Sequence, residues 1–195
     1  MDKVSYALGM HMASHIINSG LKRIEMDAFT EAFSQMIQGK PMKISPEEAQ
    51  QVMQDFFAKQ RQESASINLE AGKRFLEENK KKNGVVALSN GMQYEVIEEG
   101  SGSKPSLTDR VRVHYEGTLI DGTIFDSSVQ RGESAVFQLN QVILGWQEGL
   151  QLMSEGARWR FYIPPHLAYG ERGAGEVIGP NATLIFDVQL LSIEK

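Results

Sequence analysis

Val4, Leu8, Met12 and Ile16 recur every fourth residue near the start of the chain and stop at Asn18-Ser19-Gly20. This is the spacing of one helix face ending in a helix-stop signal. Phe29, Phe33, Met36 and Ile37 repeat the pattern until Gly39-Lys40-Pro41. Residues 1 to 44 are therefore expected to form two short helices, which bury too little surface to stand alone. Seven of the nine methionines lie within the first 60 residues, a composition that suits an adaptable helix-helix contact. The expectation is a self-association module, most simply a two-fold dimer with intertwined helices.

Ser45-Pro46-Glu47-Glu48 then supplies an N-cap serine, a proline at the first helical position and a capping-box glutamate. Apart from Gly72, no strong breaker occurs before Asn83-Gly84, so one helix of roughly 37 residues, about 55 Å long, is expected over residues 45 to 83. Val52, Met53, Phe56 and Phe57 give its first half an apolar stripe, while the part from Arg61 onward is mostly polar. A helix polar nearly all round bridges domains through solvent. The alternative is that this half packs on the segment from residue 84 onward.

From residue 84 the period falls from 3.6 to 2. In DRVRVHYEGTLIDG, Val111, Val113 and Tyr115 face one way and Arg112, His114 and Glu116 the other, with Asp121-Gly122 as a hairpin signal before Thr123-Ile124-Phe125. Further strands are expected at residues 92–98, 135–139, 157–163 and 183–193. Fourteen of the eighteen glycines fall between Gly84 and Gly179, as short strands and tight loops require. VILGWQEGL, Val142 to Leu150, reads as a short helix carrying a tryptophan between Gly145 and Gly149. An antiparallel sheet with one short helix buries a core by curling around it. The fold class expected is α+β: a helical amino-terminal module (1–44), a long connecting helix (45–83) and an antiparallel half-barrel around one helix (84–195).

The formal charge is −5, and the one basic cluster, Lys80 to Lys82, follows Glu77 and Glu78 and reads as a solvated helix end, so the electrostatic footprint that nucleic-acid binding needs is missing. No window approaches the eighteen or so apolar residues of a membrane span. The first residues show no secretory pattern, so a cytoplasmic location is expected if Met1 is the natural start, with the periplasm as the alternative. The absence of cysteine excludes disulfides, thiolate metal sites and a cysteine nucleophile.

Ordinary catalytic sets are missing. His11 and His15 lie one helical turn apart without a third ligand, and a surface pair outweighs a metal site. Ser127 and Ser128 lack a nucleophile elbow. The glycines of GERGAGEVIG do not have dinucleotide spacing. No metal or cofactor is expected. What remains is a concentration of aromatics near turns: Tyr115, Phe125, Trp146, Trp159, Tyr162, Tyr169 and Phe186.

Their local motifs carry a resemblance. VHYEGTLIDGTIFDSS, VILGWQEGLQLMSEGAR, YIPPHLAYGERG and IGPNATLIFDVQLLSI resemble, in order and spacing over residues 92 to 193, the signatures of FKBP-type peptidyl-prolyl cis-trans isomerases. KVSYALG, the capped long helix and NGVVALSNGMQY resemble the bacterial two-domain, Mip-like branch. The resemblance implies a sheet half-wrapped around the short helix, with Trp146 as the floor of a pocket for a proline ring. It implies pocket walls at Tyr115, Phe125, Val142, Ile143, Ile178 and Phe186, and polar points at Asp126 and the Tyr169 hydroxyl. The Ile143 backbone N–H and that hydroxyl would grip substrate carbonyls.

Such a site fits chemistry without a charged catalyst. X-Pro rotation is slow because amide resonance sets a barrier of about 18–20 kcal/mol. Water stabilises the charge-separated planar form more than the twisted one, so an apolar pocket that binds the twisted form lowers the barrier. The expected partners are proline-containing unfolded or partly folded polypeptides, with macrolide inhibitors of the family as further ligands. Two departures bear on the rim: Ala135 stands where an aromatic is frequent, and Ala174 where a histidine is. The reading is a homodimeric isomerase with chaperone-like activity. The alternatives are a binding or chaperone module without turnover, or a chain whose main function lies in the amino-terminal helices.

Overall fold

The computed structural model describes residues 1–21 and 23–194, and the chain divides into two compact units, Met1–Asp55 and Phe56–Lys195. Lys22 and Lys195, which belong to the expected first and third segments, lie outside the described residues.

The first unit holds α1 (Lys3–Asn18), α2 (Met26–Ile37) and the beginning of α3 (Pro46–Asn79). Each helix start is capped. The Asp2 carboxylate accepts from Val4 and Ser5, the Glu25 carboxylate from Asp27 and Ala28, and Ser45 Oγ from the Glu48 N–H at 3.1 Å. These bonds satisfy donors that the first helical turn leaves without partners. Of the expected apolar positions, Met12, Ile16 and Phe29 are half-buried, while Val4, Leu8, Phe33, Met36 and Ile37 are exposed, as is Ile17 beside them. No residue of α2 is buried, and Val4, Ile17, Met36 and Ile37 remain 77, 69, 69 and 70% exposed.

Helix α3 runs 34 residues and stops at Asn79, short of the expected Asn83. The Asn79 side chain turns inward and donates from Nδ2 to Gln93 Oε1 at 3.0 Å. Gln93 Nε2 in turn bonds the last-turn carbonyl of Leu76 at 2.8 Å, and the chain leaves through Gly84 with φ 86°. The second half of α3 does not bridge through solvent. Phe75 packs on Tyr162 with ring centroids 5.9 Å apart, and Gly72 is buried against Thr183.

The second unit is built on seven antiparallel strands: β1 (Val85–Ala87), β2 (Gln93–Glu98), β3 (Arg110–Leu119), β4 (Ile124–Ser127), β5 (Ala135–Gln138), β6 (Arg158–Ile163) and β7 (Leu184–Glu194). Their order is β1-β2-β6-β7-β3-β4, with β5 also paired to β3. The alternation expected for β3 holds: Val111, Val113 and Tyr115 are buried while Arg112, His114 and Glu116 are half-buried. β4 and β5 share one edge of β3, separated by the single-turn helix α4 (Ser128–Arg131). There Ser128 Oγ replaces the missing ladder. It accepts from the Tyr115 N–H at 2.8 Å and donates to the Tyr115 carbonyl at 3.2 Å.

The inner face of the sheet packs on α5 (Leu144–Leu152), whose Gly145, Trp146, Gly149 and Leu150 are buried. A Cβ on Gly145 would lie 2.5 Å from Ile163 Cγ2, and one on Gly149 2.8 Å from Met92 Cε and the Phe161 ring. Glycine lets this helix approach the sheet more closely than any side chain would permit. Phe161, Ile163, Leu139, Leu150, Leu184 and Val188 are fully buried around it, and removal of such area from water is the main stabilising term.

Candidate functional site

Tyr115, Phe125, Asp126, Val142, Ile143, Trp146, Tyr169, Ile178 and Phe186 all line one cavity of about 580 Å³ between α5, the sheet and the loop after β6. Trp146 is its hub. The indole meets Tyr115 at 5.3 Å and 86°, Phe137 at 5.6 Å and 90°, and Phe186 at 5.2 Å and 78°. Phe125 meets Phe186 in the same edge-to-face manner at 5.4 Å. These orientations are the favoured ones for aromatic quadrupoles, so the rings hold one another in place. Trp146 is only 3% exposed, fixed by the close approach that its neighbouring glycines allow.

Three polar groups reach the apolar walls. Ile143 is the N-cap of α5, its carbonyl accepting from Trp146 and Gln147 at 2.9 and 3.1 Å. Its own N–H precedes the helix and is not used by helical bonding. Tyr169 stands at the mouth, 39% exposed. Burial, then the charge of Asp126, pushes its phenol upward, so it stays a hydrogen-bond donor at neutral pH.

Asp126 is the third polar group. It accepts from the Tyr115 hydroxyl and pairs with Arg131, and Arg131 Nη2 closes the set on the Tyr115 oxygen at 3.0 Å. Burial pushes the Asp126 carboxyl upward, but the Tyr115 and Arg131 bonds outweigh it and hold the group below the ordinary carboxylate value. Burial and the bond to Asp126 raise the Tyr115 phenol.

Two contributors do not stand out in the sequence. Phe137 lines the cavity, and AVFQ on β5, half-buried throughout, has no alternation that would mark it. Arg131 stands five residues after Asp126, and the α4 turn between them brings its guanidinium back. Of the two rim departures, Ala174 lines the cavity and Ala135 does not; Ala135 packs half-buried in β5 against the core.

A larger trough of about 930 Å³ crosses the outer face of the sheet. Its floor carries Arg158 and Arg160, bonded to Asp187 at 2.7 and 2.9 Å. Phe75 and Tyr162 pack together along it, but Trp146, Phe125, Phe137 and Phe186 do not line it. The His11 and His15 rings stack at 5.3 Å, and no three ligand-type side chains come together around a metal position among the described residues.

Comparison with known proteins points in the same direction. Residues 101–191 match the family model described as FKBP-type peptidyl-prolyl cis-trans isomerase, and residues 1–96 match the domain amino terminal to FKBP-type peptidyl-prolyl isomerase. The probable FKBP-type peptidyl-prolyl cis-trans isomerase FkpA of Neisseria meningitidis serogroup B is 45% identical over 99% of this chain and 74% of the relative. The outer membrane protein MIP of Legionella longbeachae is 41% identical over all of this chain and 86% of the relative. The crystal structure of FkpA from Escherichia coli superposes with a TM-score of 0.75 at 36% identity, covering 98% of this chain and 95% of that one. With both family models matched and these relatives spanning nearly the whole chain, the protein belongs to the FKBP-type peptidyl-prolyl cis-trans isomerases, in the two-part form with a helical domain ahead of the catalytic one.

Proposed function

We propose that the isomerase reaction, rotation about the X-Pro bond of a polypeptide, takes place in the Trp146 cavity. The observation that carries this is the convergence of the Trp146, Tyr115, Phe137 and Phe186 rings in a single cavity that Ile143 and Tyr169 also line. The proline ring rests on the indole face among Phe125, Val142, Ile178 and Phe186. The Ile143 N–H and Tyr169 O–H hold the carbonyls on either side, so the substrate is fixed while its middle bond turns.

The reaction forms and breaks no covalent bond, so no acid or base is required. The cavity replaces water around the amide. Hydration favours the planar, charge-separated form, and its loss lowers the barrier from about 18–20 kcal/mol. Each 1.4 kcal/mol or so gained in the twisted form is a tenfold gain in rate. The Asp126 charge is held by Tyr115 and Arg131, and it contributes a fixed dipole to the wall rather than a mobile proton.

The test is cis-to-trans relaxation of a short Leu-Pro peptide with wild type, Tyr169→Phe and Trp146→Phe. Acceleration by wild type that weakens in both variants is expected. Full activity in both would remove the reaction from this cavity.

The functional parts follow the division 1–44, 45–83 and 84–195. The exposed apolar faces of α1 and α2 support a homodimer through these helices, since patches of this kind mark association surfaces. Two pockets in one dimer then hold a single unfolded client at two prolines, which raises effective concentration and gives chaperone-like action. Macrolide inhibitors of the family would enter the same cavity, with Ala174 offering less contact at the rim than a larger side chain. The name of the Legionella longbeachae relative, an outer membrane protein, favours placement outside the cytoplasm, in the periplasm, over the cytoplasmic expectation. Fractionation of cells expressing the native gene decides this.

A further inference from the structure

The pocket loop between β6 and β7 is long and has little regular structure of its own. It supplies Tyr169, Ala174 and Ile178 to the cavity, so what fixes it also fixes the pocket. Part of the answer is internal. Ala174 and Ile178 exchange backbone bonds at 2.9 and 3.1 Å, and the Asn181 N–H donates to the Gly170 carbonyl at 2.8 Å. The rest comes from α3. Asn68, half-buried on that helix, donates from Nδ2 to the Pro180 carbonyl at 2.9 Å. A Cβ on Gly179 would lie 3.0 Å from the same nitrogen. One turn further on, Gly72 is buried and a Cβ there would lie 3.1 Å from Thr183 Cβ. Two turns before Asn68, the Arg61 guanidinium reaches the Arg172 carbonyl at 3.4 Å.

We propose that Asn68 is a positioning residue of the isomerase. It tethers the pocket loop to α3 at Pro180 and thereby sets where Tyr169 and Ile178 stand. This rests on the Trp146 cavity being the isomerase site. The spacing of Arg61, Asn68 and Gly72 puts all of them on one helix face, and each meets the loop or the start of β7 rather than the sheet interior. The Pro180 carbonyl belongs to a residue without a backbone donor and lies next to Asn181, the one non-glycine residue with positive φ among the described residues (54°). The Asn68 amide pins this turn from outside the loop, beside the internal bond from Asn181 to Gly170. A loop displaced by about 1 Å can cost a positioned site up to a hundredfold. Loss of one neutral hydrogen bond changes the ratio of positioned to displaced loop by a smaller factor, on the order of fivefold, which is the upper bound on the loss in turnover.

The experiment uses the full chain with Asn68→Ala, Asn68→Gln and, as a control on the same helix, Ser66→Ala. Turnover of a small X-Pro peptide and amide exchange by NMR are measured together. Asn68→Ala is expected to lower kcat/KM by up to about fivefold, chiefly through KM. Exchange should quicken at Ile178 and Asn181 and stay unchanged at Phe161 and Val188 in the sheet. Asn68→Gln, which keeps the donor, should recover part of both effects, and Ser66→Ala should show neither. Unchanged exchange at Ile178 and Asn181 overturns the tether, as does acceleration spread equally over the sheet. Faster loop exchange with undiminished turnover overturns its role in the reaction. Failure of the wild type to accelerate the peptide at all would instead count against the Trp146 cavity, and the positioning role would fall with it.

Discussion

The Tyr115 hydroxyl donates its hydrogen bond to the Asp126 carboxylate at the inner wall of the cavity. Tyr115 lies on β3 and Asp126 on β4, the strand paired to it beside the edge that Ser128 has re-satisfied. Burial opposes ionisation of Asp126, but the Tyr115 bond and the Arg131 pair together outweigh it and make the group easier to ionise in the folded chain than in the unfolded one. A carboxyl with a lowered folded value adds stability above its unfolded value near 3.8, and that stability is lost as pH falls through the lower folded value. Removing the donor with Tyr115→Phe should move the Asp126 titration upward, which carboxyl NMR of the two proteins measures directly.

The same groups predict how turnover depends on pH. Asp126 stays ionised and Tyr169, pushed upward by burial and by Asp126, stays protonated over the whole neutral range. The kcat/KM of the wild type should be flat from about pH 6 to 9, because no ordinary side chain of the pocket titrates there. A profile with a midpoint near 6.5 would point to a histidine and contradict catalysis by desolvation.

Trp146 carries both the pocket floor and part of the core. Replacing a buried tryptophan by alanine costs about 3–5 kcal/mol, a large share of the roughly 5–15 kcal/mol that holds a domain folded. Trp146→Ala is therefore expected to unfold at clearly lower denaturant and to lose more than tenfold in peptide turnover. Trp146→Phe keeps an aromatic floor among Tyr115, Phe137 and Phe186, and should lose less of each. Denaturation curves beside relaxation rates separate the two effects. A folded Trp146→Ala chain with full turnover would show that the indole face is not where proline sits.

The glycines of α5 give a sharper test of packing. Gly→Ala in a helix interior gains about 1 kcal/mol in propensity, while overpacking a filled core costs about 1–3 kcal/mol. At Gly145 the new methyl would meet three Ile163 atoms between 2.5 and 3.1 Å, and Ile163 is fully buried with nowhere to move. The cost wins, and Gly145→Ala should lower the midpoint of unfolding. Gly149→Ala faces the end of the flexible Met92 side chain and the fixed Phe161 ring at 2.8 Å, so its net cost should be smaller. An increase in stability for Gly145→Ala would mean that α5 stands further from the sheet.

The period-2 stretch of β3, the hairpin at Gly122 and the capped start of α3 were all legible in the sequence, because each depends on local pattern or on one residue's backbone chemistry. Gly122 indeed has φ 88°. The contact face of α3 was not legible. It is made by Phe75 on Tyr162 together with Asn68, Gly72 and Asn79, and because the last three are polar or break helices, hydropathy gives packing on the segment from residue 84 only as the alternative to a solvated bridge. Their roles exist only once Pro180, Thr183 and Gln93 are opposite them. β1, three residues long, is too short to show a period. The pocket motifs brought nine lining residues to one cavity, whereas Phe137 and Arg131 required the strand pairing of β5 and the turn of α4 to come into view.

The amino-terminal helices make the last prediction. Val4, Ile17, Met36 and Ile37 stay more than two-thirds exposed, and helices with so little burial of their own need a further surface. If a second copy supplies it, deleting residues 1–44 should convert a dimer to a monomer in sedimentation equilibrium. The cavity is built entirely from residues after Gly84 and is tethered by α3 at Asn68, both retained in the shortened chain. Small-peptide turnover should therefore stay within about twofold. Refolding of a proline-limited client protein should slow much more, because holding a chain at two points multiplies weak contacts by an effective concentration that one pocket lacks. A shortened chain that remains dimeric would move the interface to Val52, Met53, Phe56 and Phe57, exposed apolar side chains in the first half of α3. Equal loss toward peptide and protein would show that the helices support the pocket itself rather than joining two of them.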